Sequence, residues 1–422
     1  MSSLAINKAV PNAREYYPLN EPEISTVLNT TSGTPKLFEP LTLRAVTFKN
    51  RIWVAPMCQY SSDDGHATDW HLVHLGNFAT HGAGAVIVEA TAVVPEGRIS
   101  PEDAGLWKDS QIAPLKRIVS FGHAHNTKMG IQLAHAGRKA SIQAPWVKRQ
   151  AGFDSSVATK EENGWPDEVY APSEISYLKG TYPDPQAATE DYLNKVTDAF
   201  VEAAKRADEA GFDFIELHAA HGYLLHEFLS PLSNTRSDIY GGQPLENRLR
   251  FVLQVTEKVR AAWPEQKPLF VRISATDWAE GPEKDESGKW LQWGLEQSMI
   301  LSERLEKLGV DLIDVSTAGN WQKQKIPWAP GFQVPFAADI KKALPNTSIA
   351  TVGSITEPEQ AEEYLQEDKA DVILMGREFL RNPSWPMYAA RQLGVTLKAA
   401  NQYEMAWWGP IPTTTTRPVL RN

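Results

Sequence analysis

Eight short apolar segments recur along the chain, from about Ile52 to Met375. They are rich in Val and Ile, and most are uniformly apolar, which is typical of strands buried on both faces. The pattern therefore predicts eight buried strands. They are Ile52–Met57, Ala85–Val88, Met129–Leu133, Phe212–Leu217, Leu269–Ile273, Leu312–Val315, Ile349–Val352 and Val372–Met375.

Segments with helical periodicity separate these strands. In Glu190–Ala210 the apolar residues fall on one stripe, and Gly211 follows as a stop signal. The other predicted helices are His71–Thr80, Ala113–His125, Leu249–Trp263, Leu295–Leu308, Val334–Leu344, Pro358–Leu365 and Trp385–Leu393. This alternation predicts a parallel sheet of the α/β class, and eight units favour its closure into a (β/α)₈ TIM barrel.

The barrel is predicted to occupy residues 37–400. Residues 1–36 are polar and lack a clear period, so we expect an extended or loosely ordered arm there. Residues 401–422 are rich in Trp and Pro, and we expect an extended tail that is not helical. Arg138–Ala188 and Trp278–Trp290 are elaborated βα loops, which belong on the C-terminal face, where barrel enzymes carry their chemistry.

Composition narrows the possible functions. The formal net charge of −10 over 422 residues gives no support to nucleic-acid or membrane-surface binding. The single cysteine, Cys58, allows neither an intrachain disulfide nor a cysteine cluster for iron–sulfur ligation. The chain shows no secretory signal and no apolar run long enough to span a bilayer, so we expect a cytoplasmic protein.

Glycines and an arginine follow the last two predicted strands. Gly353-Ser354 ends strand seven, and Gly376-Arg377 ends strand eight. Barrels often bind phosphate at these two loops, where glycine lets backbone N–H groups approach and a guanidinium can grip the oxygens. An ordinary turn at either place is the alternative.

Arg272 interrupts the apolar fifth strand. A buried cation needs a partner. One interpretation is an internal ion pair, for example with Glu216. The other is a positive charge that faces an electron-rich cofactor.

His218, His221 and Tyr223 form the strongest local group. Residues three apart on a strand face opposite sides, so the two imidazoles converge only if the strand stops near His218 and the chain turns, which Gly222 permits. The pair could then donate to one oxygen, while Tyr223 supplies a proton. Satisfied core histidines are one alternative, and a metal site with His226 or Glu227 as third ligand is another. We favour oxygen binding and predict no metal.

Together these strand ends resemble the Old Yellow Enzyme family of FMN-dependent ene-reductases, in particular its thermophilic-like class. The likeness spans roughly residues 35 to 404, and its most specific part lies between His218 and Arg248. The matching segments are 49–52, 55–61, 132–139, 218–224, 227–231, 240–242, 246–248, 271–274, 330–334 and 376–377.

The resemblance implies an NAD(P)H:flavin oxidoreductase, with NADPH favoured, that reduces activated C=C bonds by ping-pong hydride transfer through FMN. Its substrates would be α,β-unsaturated carbonyl compounds, with nitroalkenes as a further class. It also implies a homo-oligomer, a dimer or a tetramer.

The family pattern assigns roles to individual residues. It implies that Ala55, Pro56, Met57, Cys58 and Ala90 cradle the isoalloxazine ring. It implies that Gln132 bonds the pyrimidine edge, that Arg272 faces N1 and O2, and that Gly353, Ser354, Gly376 and Arg377 hold the phosphate. For the substrate, it implies that His218 and His221 bind the carbonyl, that Tyr60 helps close the pocket and that Tyr223 donates the proton.

Three alternatives stay open. Dienoyl-CoA reductases and amine dehydrogenases share the barrel, but they carry an iron–sulfur segment and a further dinucleotide domain. A flavin-binding protein without turnover is a second alternative, and a biosynthetic flavin oxidoreductase with one tailored substrate is a third. One departure from the family is Met405, which stands where close relatives place an arginine that reaches the neighbouring subunit. We therefore expect any tail residue that reaches a neighbour to supply apolar surface, with Trp407 or Trp408 as the anchor.

Overall fold

A computed structural model describes residues 20–151 and 156–407. Its centre is a closed barrel of eight parallel strands, which confirms the predicted fold class. In order around the barrel these strands are β4 (Ile52–Val54), β5 (Ala85–Ala92), β6 (Lys128–Ala134), β9 (Phe214–Ala219), β10 (Leu269–Ser274), β11 (Leu312–Ser316), β12 (Ser348–Val352) and β13 (Val372–Met375).

Among the residues that the structure describes, six short strands lie outside the barrel and pair two by two. Two of them, β2 and β3, form a hairpin, β7 and β8 join within the long loop after β6, and β1 pairs with β14. Their bounds are β1 (Val27–Thr30), β2 (Leu41–Leu43), β3 (Val46–Phe48), β7 (Tyr170–Ala171), β8 (Gln186–Ala187) and β14 (Val395–Leu397).

The predicted helices all form, with ends that differ by a few residues from the prediction. The α-helices are α1 (Asp69–Thr80), α2 (Ile112–Ala124), α3 (Pro145–Ala151), α4 (Glu190–Ala210), α5 (Leu224–Leu229), α6 (Leu245–Ala262), α7 (Leu295–Lys307), α8 (Val334–Ala343), α9 (Pro358–Gln366), α10 (Arg377–Arg381), α11 (Trp385–Gln392) and α12 (Glu404–Trp407). Among the described residues, no helix is both long and apolar enough to cross a membrane.

The first barrel strand is shorter than predicted. It ends at Val54, and residues 55–60 continue as a loop over the barrel mouth. Pro56 has no backbone N–H to donate to a neighbouring strand, so it suits a strand end and not a central strand. This places Met57 and its neighbours in the loop that faces the site.

Aromatic side chains close one end of the barrel. Phe48, from the β2–β3 hairpin, is fully buried, and its ring lies 4.2 Å from the Trp53 ring. Phe270 stacks on Trp53 at 5.8 Å and packs on Phe214 at 4.6 Å. Because these rings fill the amino-terminal end of the strands, polar groups and ligands must gather at the other end.

The arm and the tail are tied to the barrel domain. In the described part of the predicted arm, β1 pairs antiparallel with β14 and holds residues 27–30 in a small sheet. The tail was expected not to be helical, but it forms the short helix α12. Its Trp407 packs against the protein's own hydrophobic core, whereas Met405 is 78% exposed. Trp408, the other expected anchor, lies outside the described residues.

Candidate functional site

A cavity of about 1080 Å³ opens at the carboxyl ends of the barrel strands. Its walls come from loops and strand ends far apart in sequence, and they bring together ten of the residues predicted from the sequence. These are Ala55, Pro56, Met57, Tyr60, His221, Arg272, Gly353, Ser354, Gly376 and Arg377. This volume is in the range of pockets that bind a cofactor or another small molecule.

Arg272 provides the charge at the floor of this cavity. Its guanidinium Nε lies 2.9 Å from Oδ2 of Asp314, the residue opposite it on β11. The N–H does not point at that oxygen, so the two groups form an ion pair and Nε has no hydrogen-bond partner. The sequence suggested Glu216 as the partner of an internal ion pair. Asp314 takes that place because strand register sets the two side chains side by side.

Glu216 is instead paired with Gln132. Gln132 Nε2 donates to Glu216 Oε1 at 2.7 Å, and both side chains are buried. Burial and the neighbouring Asp314 carboxylate raise the pKa of Glu216 above its usual range. The barrel interior therefore holds a polar layer above the aromatic one, and Gln132 and Glu216 belong to this layer.

The histidine pair converges as the sequence predicted. Strand β9 stops at Ala219, and the chain turns with His221 at a φ of 59°. The rings of His218 and His221 meet at 89° with centroids 5.2 Å apart, and the Tyr223 ring lies 4.9 Å from His218. Burial and the nearby Arg272 cation hold the pKa of both imidazoles well below the usual value. Both rings are therefore neutral near pH 7, and each carries one N–H.

Tyr60 lines the cavity, and Cys58, Tyr60 and Tyr223 pack against the same small hydrophobic cluster. The Cys58 thiol is hydrogen-bonded to the Ala90 backbone and to the Tyr60 side chain. Burial, together with the carboxyls of Asp103 and Glu89, raises the pKa of the thiol well above its usual value. The thiol therefore stays protonated, and Tyr60 stays close to it.

The far end of the cavity carries the predicted phosphate residues. Gly353 has a φ of 120°, and a Cβ there would lie 2.6 Å from Gln333 Nε2, so the turn requires glycine. Gly376 precedes α10, which begins at Arg377. The Arg377 guanidinium lies 5.8 Å from the centre of the Trp328 ring. Gly353, Gly376 and Arg377 thus line one cavity, which is the arrangement that a phosphate site requires and an ordinary turn does not.

Two polar residues at the end of the sixth barrel strand, Ser316 and Thr317, were not among the predicted site residues. Ser316 Oγ lies 2.8 Å from His221 Nε2, and Thr317 Oγ1 donates to Gln333 Oε1 at 2.6 Å. Gln333 in turn donates to the Val352 carbonyl, which joins the end of β12 to the site. Reading the polar residues after every strand, the sixth included, would have found Ser316 and Thr317.

The two residues considered as a third metal ligand have other partners. His226 Nδ1 accepts a hydrogen bond from Gly222 N at 3.0 Å, and its Nε2 lies 3.2 Å from Asp277 Oδ1. Glu227 Oε1 accepts from the backbone N–H of Arg138 at 2.9 Å. Both side chains thus support the loops behind the histidine pair.

Comparison with known proteins identifies the relatives of this chain. The family model described as NADH:flavin oxidoreductase / NADH oxidase matches residues 36–395. NADH:flavin oxidoreductase FG08077 of Gibberella zeae is 48% identical over 408 residues, which cover 96% of each chain. An NADPH dehydrogenase of Halalkalibacterium halodurans is 44% identical over 374 residues, covering 88% of this chain and 99% of that protein.

Solved structures share the architecture. Morphinone reductase superposes with a TM-score of 0.68 at 25% identity, covering 90% of this chain and 96% of its own. A 2-naphthoyl-CoA reductase complex gives a TM-score of 0.73 at 22% identity, which is a likeness of fold. The match covers 86% of this chain and 54% of that protein, so this chain spans about half its length.

Proposed function

This chain belongs to the NADH:flavin oxidoreductase family, and from that premise we propose that it is an ene-reductase. Membership confirms the resemblance to the Old Yellow Enzymes and makes the protein an oxidoreductase that uses FMN and NAD(P)H. The proposed substrates are small alkenes activated by a carbonyl or nitro group. The single observation that carries the proposal is the convergence of the neutral His218 and His221 rings beside Tyr223, with His221 lining the cavity.

The cavity residues fit FMN. Arg272 lines the cavity as a buried cation, which suits the electron-rich pyrimidine edge of the ring. Ala55, Pro56 and Met57 would face its flat surface, and Arg377 with the Gly353 turn would hold the phosphate. Gln132 would support the same edge as Arg272, and Cys58 with Ala90 would flank the ring. The chemistry that bound FMN supplies is the two-electron transfer from NAD(P)H to the alkene.

The histidine pair would bind the substrate oxygen. Negative charge builds on that oxygen as the β-carbon is reduced, and preorganised neutral donors stabilise it. Because burial keeps both imidazoles neutral, each can donate its one N–H as a hydrogen bond but does not transfer a proton to the oxygen. The Ser316 hydroxyl is hydrogen-bonded to His221 Nε2 and holds the ring in place, and the substrate oxygen would bind beside that imidazole.

Tyr223 would donate the second hydrogen of the reduction as a proton to the α-carbon. Burial raises the pKa of its phenol well above the usual value, so the proton is present throughout the neutral range. The Tyr223 ring touches the same His218 that would hold the oxygen, so donor and oxygen site are adjacent. Tyr60 lines the cavity and would cover the substrate from the side.

One anaerobic experiment tests the proposal. The purified protein should be yellow and should release FMN, and not FAD, on heating, because the cavity has one candidate phosphate end. NADPH should bleach the flavin, and 2-cyclohexenone or N-ethylmaleimide should then restore its colour while the C=C bond is reduced. Bleaching that no enone, maleimide or nitroalkene reverses would contradict the ene-reductase assignment. A flavin that NAD(P)H does not bleach would indicate a binding protein without turnover.

The preference for NADPH over NADH is part of the proposal. Relatives that are 43–45% identical carry the name NADPH dehydrogenase, whereas the one at 48% carries the name NADH:flavin oxidoreductase. We expect a higher kcat/KM with NADPH. Rates of anaerobic flavin bleaching measured with each nucleotide would decide between them.

A further inference from the structure

The histidine turn packs backbone to backbone on a second turn. His221 and Gly222, after β9, both have positive φ, and so do Ala318 and Gly319, after β11. A Cβ on Gly222 would overlap the Gly319 carbonyl, and a Cβ on Gly319 would overlap the His221 backbone. The two left-handed turns therefore fit together only with glycine at both contact points, and the position of one sets the position of the other.

Ser274 bridges these two turns from below. It is the last residue of β10 and is fully buried. Its hydroxyl accepts a hydrogen bond from His221 N at 2.9 Å and donates one to the Ala318 carbonyl at 2.8 Å. One side chain thus satisfies a backbone group of each turn.

Lys139 bridges the same turns from above. Its ammonium donates to the His221 carbonyl at 2.8 Å and also to the Gly319 carbonyl. The neighbouring Arg138 extends the connection, because its Nη2 donates to Oδ1 of Asn320 at 3.0 Å. The ammonium lies 4.1 Å from the Tyr177 ring centre, on the loop that follows β6.

These contacts surround the backbone of His221 on both sides. Its N–H goes to Ser274, its carbonyl receives Lys139, and its side chain meets Ser316. A non-glycine residue at positive φ is strained, and such strain persists where surrounding groups hold it in place. The conformation of His221 is therefore imposed by its partners on neighbouring loops.

We infer that Ser274 and Lys139 are positioning residues that clamp the two turns together and thereby aim the His221 imidazole at the substrate oxygen. The inference rests on the proposed function for the role of that imidazole. The clamp itself is a property of the fold. It makes the oxygen site depend on the last residue of β10 and on the loops after β6, β9 and β11.

The test compares Ser274→Ala and Lys139→Met with matched controls. Ser302→Ala removes another buried serine hydroxyl, which bonds only the Ser298 carbonyl within α7. Lys49→Met removes another lysine that bridges two groups, the His125 carbonyl and Thr127 Oγ1, near the amino-terminal end of the barrel. Should a test variant fail to fold, Ser274→Cys and Lys139→Gln replace it, because they better preserve volume or polarity.

The first readout is the Kd of the FMN-loaded protein for 4-hydroxybenzaldehyde, whose phenol oxygen stands for the substrate oxygen. We expect about tenfold weaker binding in each test variant and less than twofold change in the controls. In a His221→Ala background the same substitutions should change Kd by less than twofold, because the group they position is gone. An equal loss in both backgrounds, or no loss in either, would overturn the inference.

The second readout is hydrogen exchange of the peptides that contain residues 220–224 and 317–321. Both test variants should accelerate exchange in the two peptides, and neither control should. Unchanged exchange would overturn the clamp whatever the ligand does. If exchange accelerates but His221→Ala alone leaves Kd unchanged, the oxygen site of the proposed function is wrong, and the aiming role is overturned with it. If exchange accelerates and His221→Ala weakens binding, but Ser274→Ala and Lys139→Met leave Kd unchanged, only the inference is overturned.

Discussion

The imidazole rings of His218 and His221 stand at right angles, with their centroids 5.2 Å apart, although the backbone conformation differs at the two residues. His218 lies on a strand, and His221 lies in a left-handed turn. This difference lets two residues three apart in sequence face one small volume. It also separates their supports, since His218 depends on the barrel and His221 on the loops.

Loss of the histidine pair should affect the substrate and spare the flavin. We expect His218→Ala and His221→Ala to keep FMN bound, to weaken phenol binding and to slow alkene reduction by about a hundredfold each, the usual effect of removing one oxyanion donor. Single-turnover reoxidation of the reduced enzyme by an enone measures this step. Reoxidation at the wild-type rate in the double variant would refute the assigned role.

Removal of the Tyr223 hydroxyl should separate the two halves of the reaction. Tyr223→Phe keeps the ring contact with His218 but removes the proton, so flavin bleaching by NADPH should continue at about the wild-type rate. Alkene reduction should fall, although solvent water can replace part of the proton supply. Stopped-flow measurement of each half-reaction checks this, and a defect confined to bleaching would mean that the residue has another role.

Substitution of Cys58 should change the electronic setting of the flavin. The thiol is held protonated beside Ala90 and Tyr60, so Cys58→Ser or Cys58→Thr replaces a polarisable group with a harder hydroxyl at the ring. We expect the reduction potential to shift with no loss of folding, measured by dye-coupled titration and thermal melting. An unchanged potential would assign Cys58 to ordinary packing.

Asp103 should make stability depend on pH. Burial raises its pKa to about 7, although Ile99 N and Ser100 donate hydrogen bonds to it. A carboxyl whose folded pKa lies above its unfolded value costs stability as pH rises from about 4 to about 7. The stability of Asp103→Asn relative to the wild type should therefore increase between pH 5 and pH 8. Melting temperatures of both proteins across that range give the comparison, and parallel curves would contradict the prediction.

The tail offers a test of assembly. Met405 is 78% exposed where close relatives are expected to place an arginine, and Tyr403 stacks on His81 at 4.9 Å. We expect the tail to give a neighbouring subunit apolar surface and to favour bulkier, less polar alkenes. Removing residues 403–422 should then reduce the number of subunits in the assembly, measured from its mass in solution, and change substrate preference. If neither changes, the tail serves only its own barrel, on which Trp407 packs.

The fold could be predicted from the sequence because its signals are local. Each barrel strand is a compact apolar run, and Glu190–Ala210 carries both its stripe and its stop within one segment. The convergence of His218 and His221 could also be predicted, since a strand end and Gly222 lie between them.

Contacts between strands could not be predicted in the same way. The pairing of Arg272 with Asp314 depends on the register of two strands about 40 residues apart, and the sequence alone does not state that register. Lys139 and Ser274 each look ordinary in their own segment. Their role emerges only when the barrel brings the end of β10 and the loops after β6, β9 and β11 to one point.

The pairing of β1 with β14 has a consequence for synthesis of the chain. Thr31 bonds a carbonyl 363 residues later, and the first strand of the described chain pairs with its last one. On the ribosome, residues 27–30 leave the exit tunnel long before residues 395–397 exist, and domains fold as the chain grows. The barrel strands can close while this early segment is still unpaired. The small sheet can therefore form only after residues 395–397 are made, and a chain that ends before them would leave the edge of β1 unpaired.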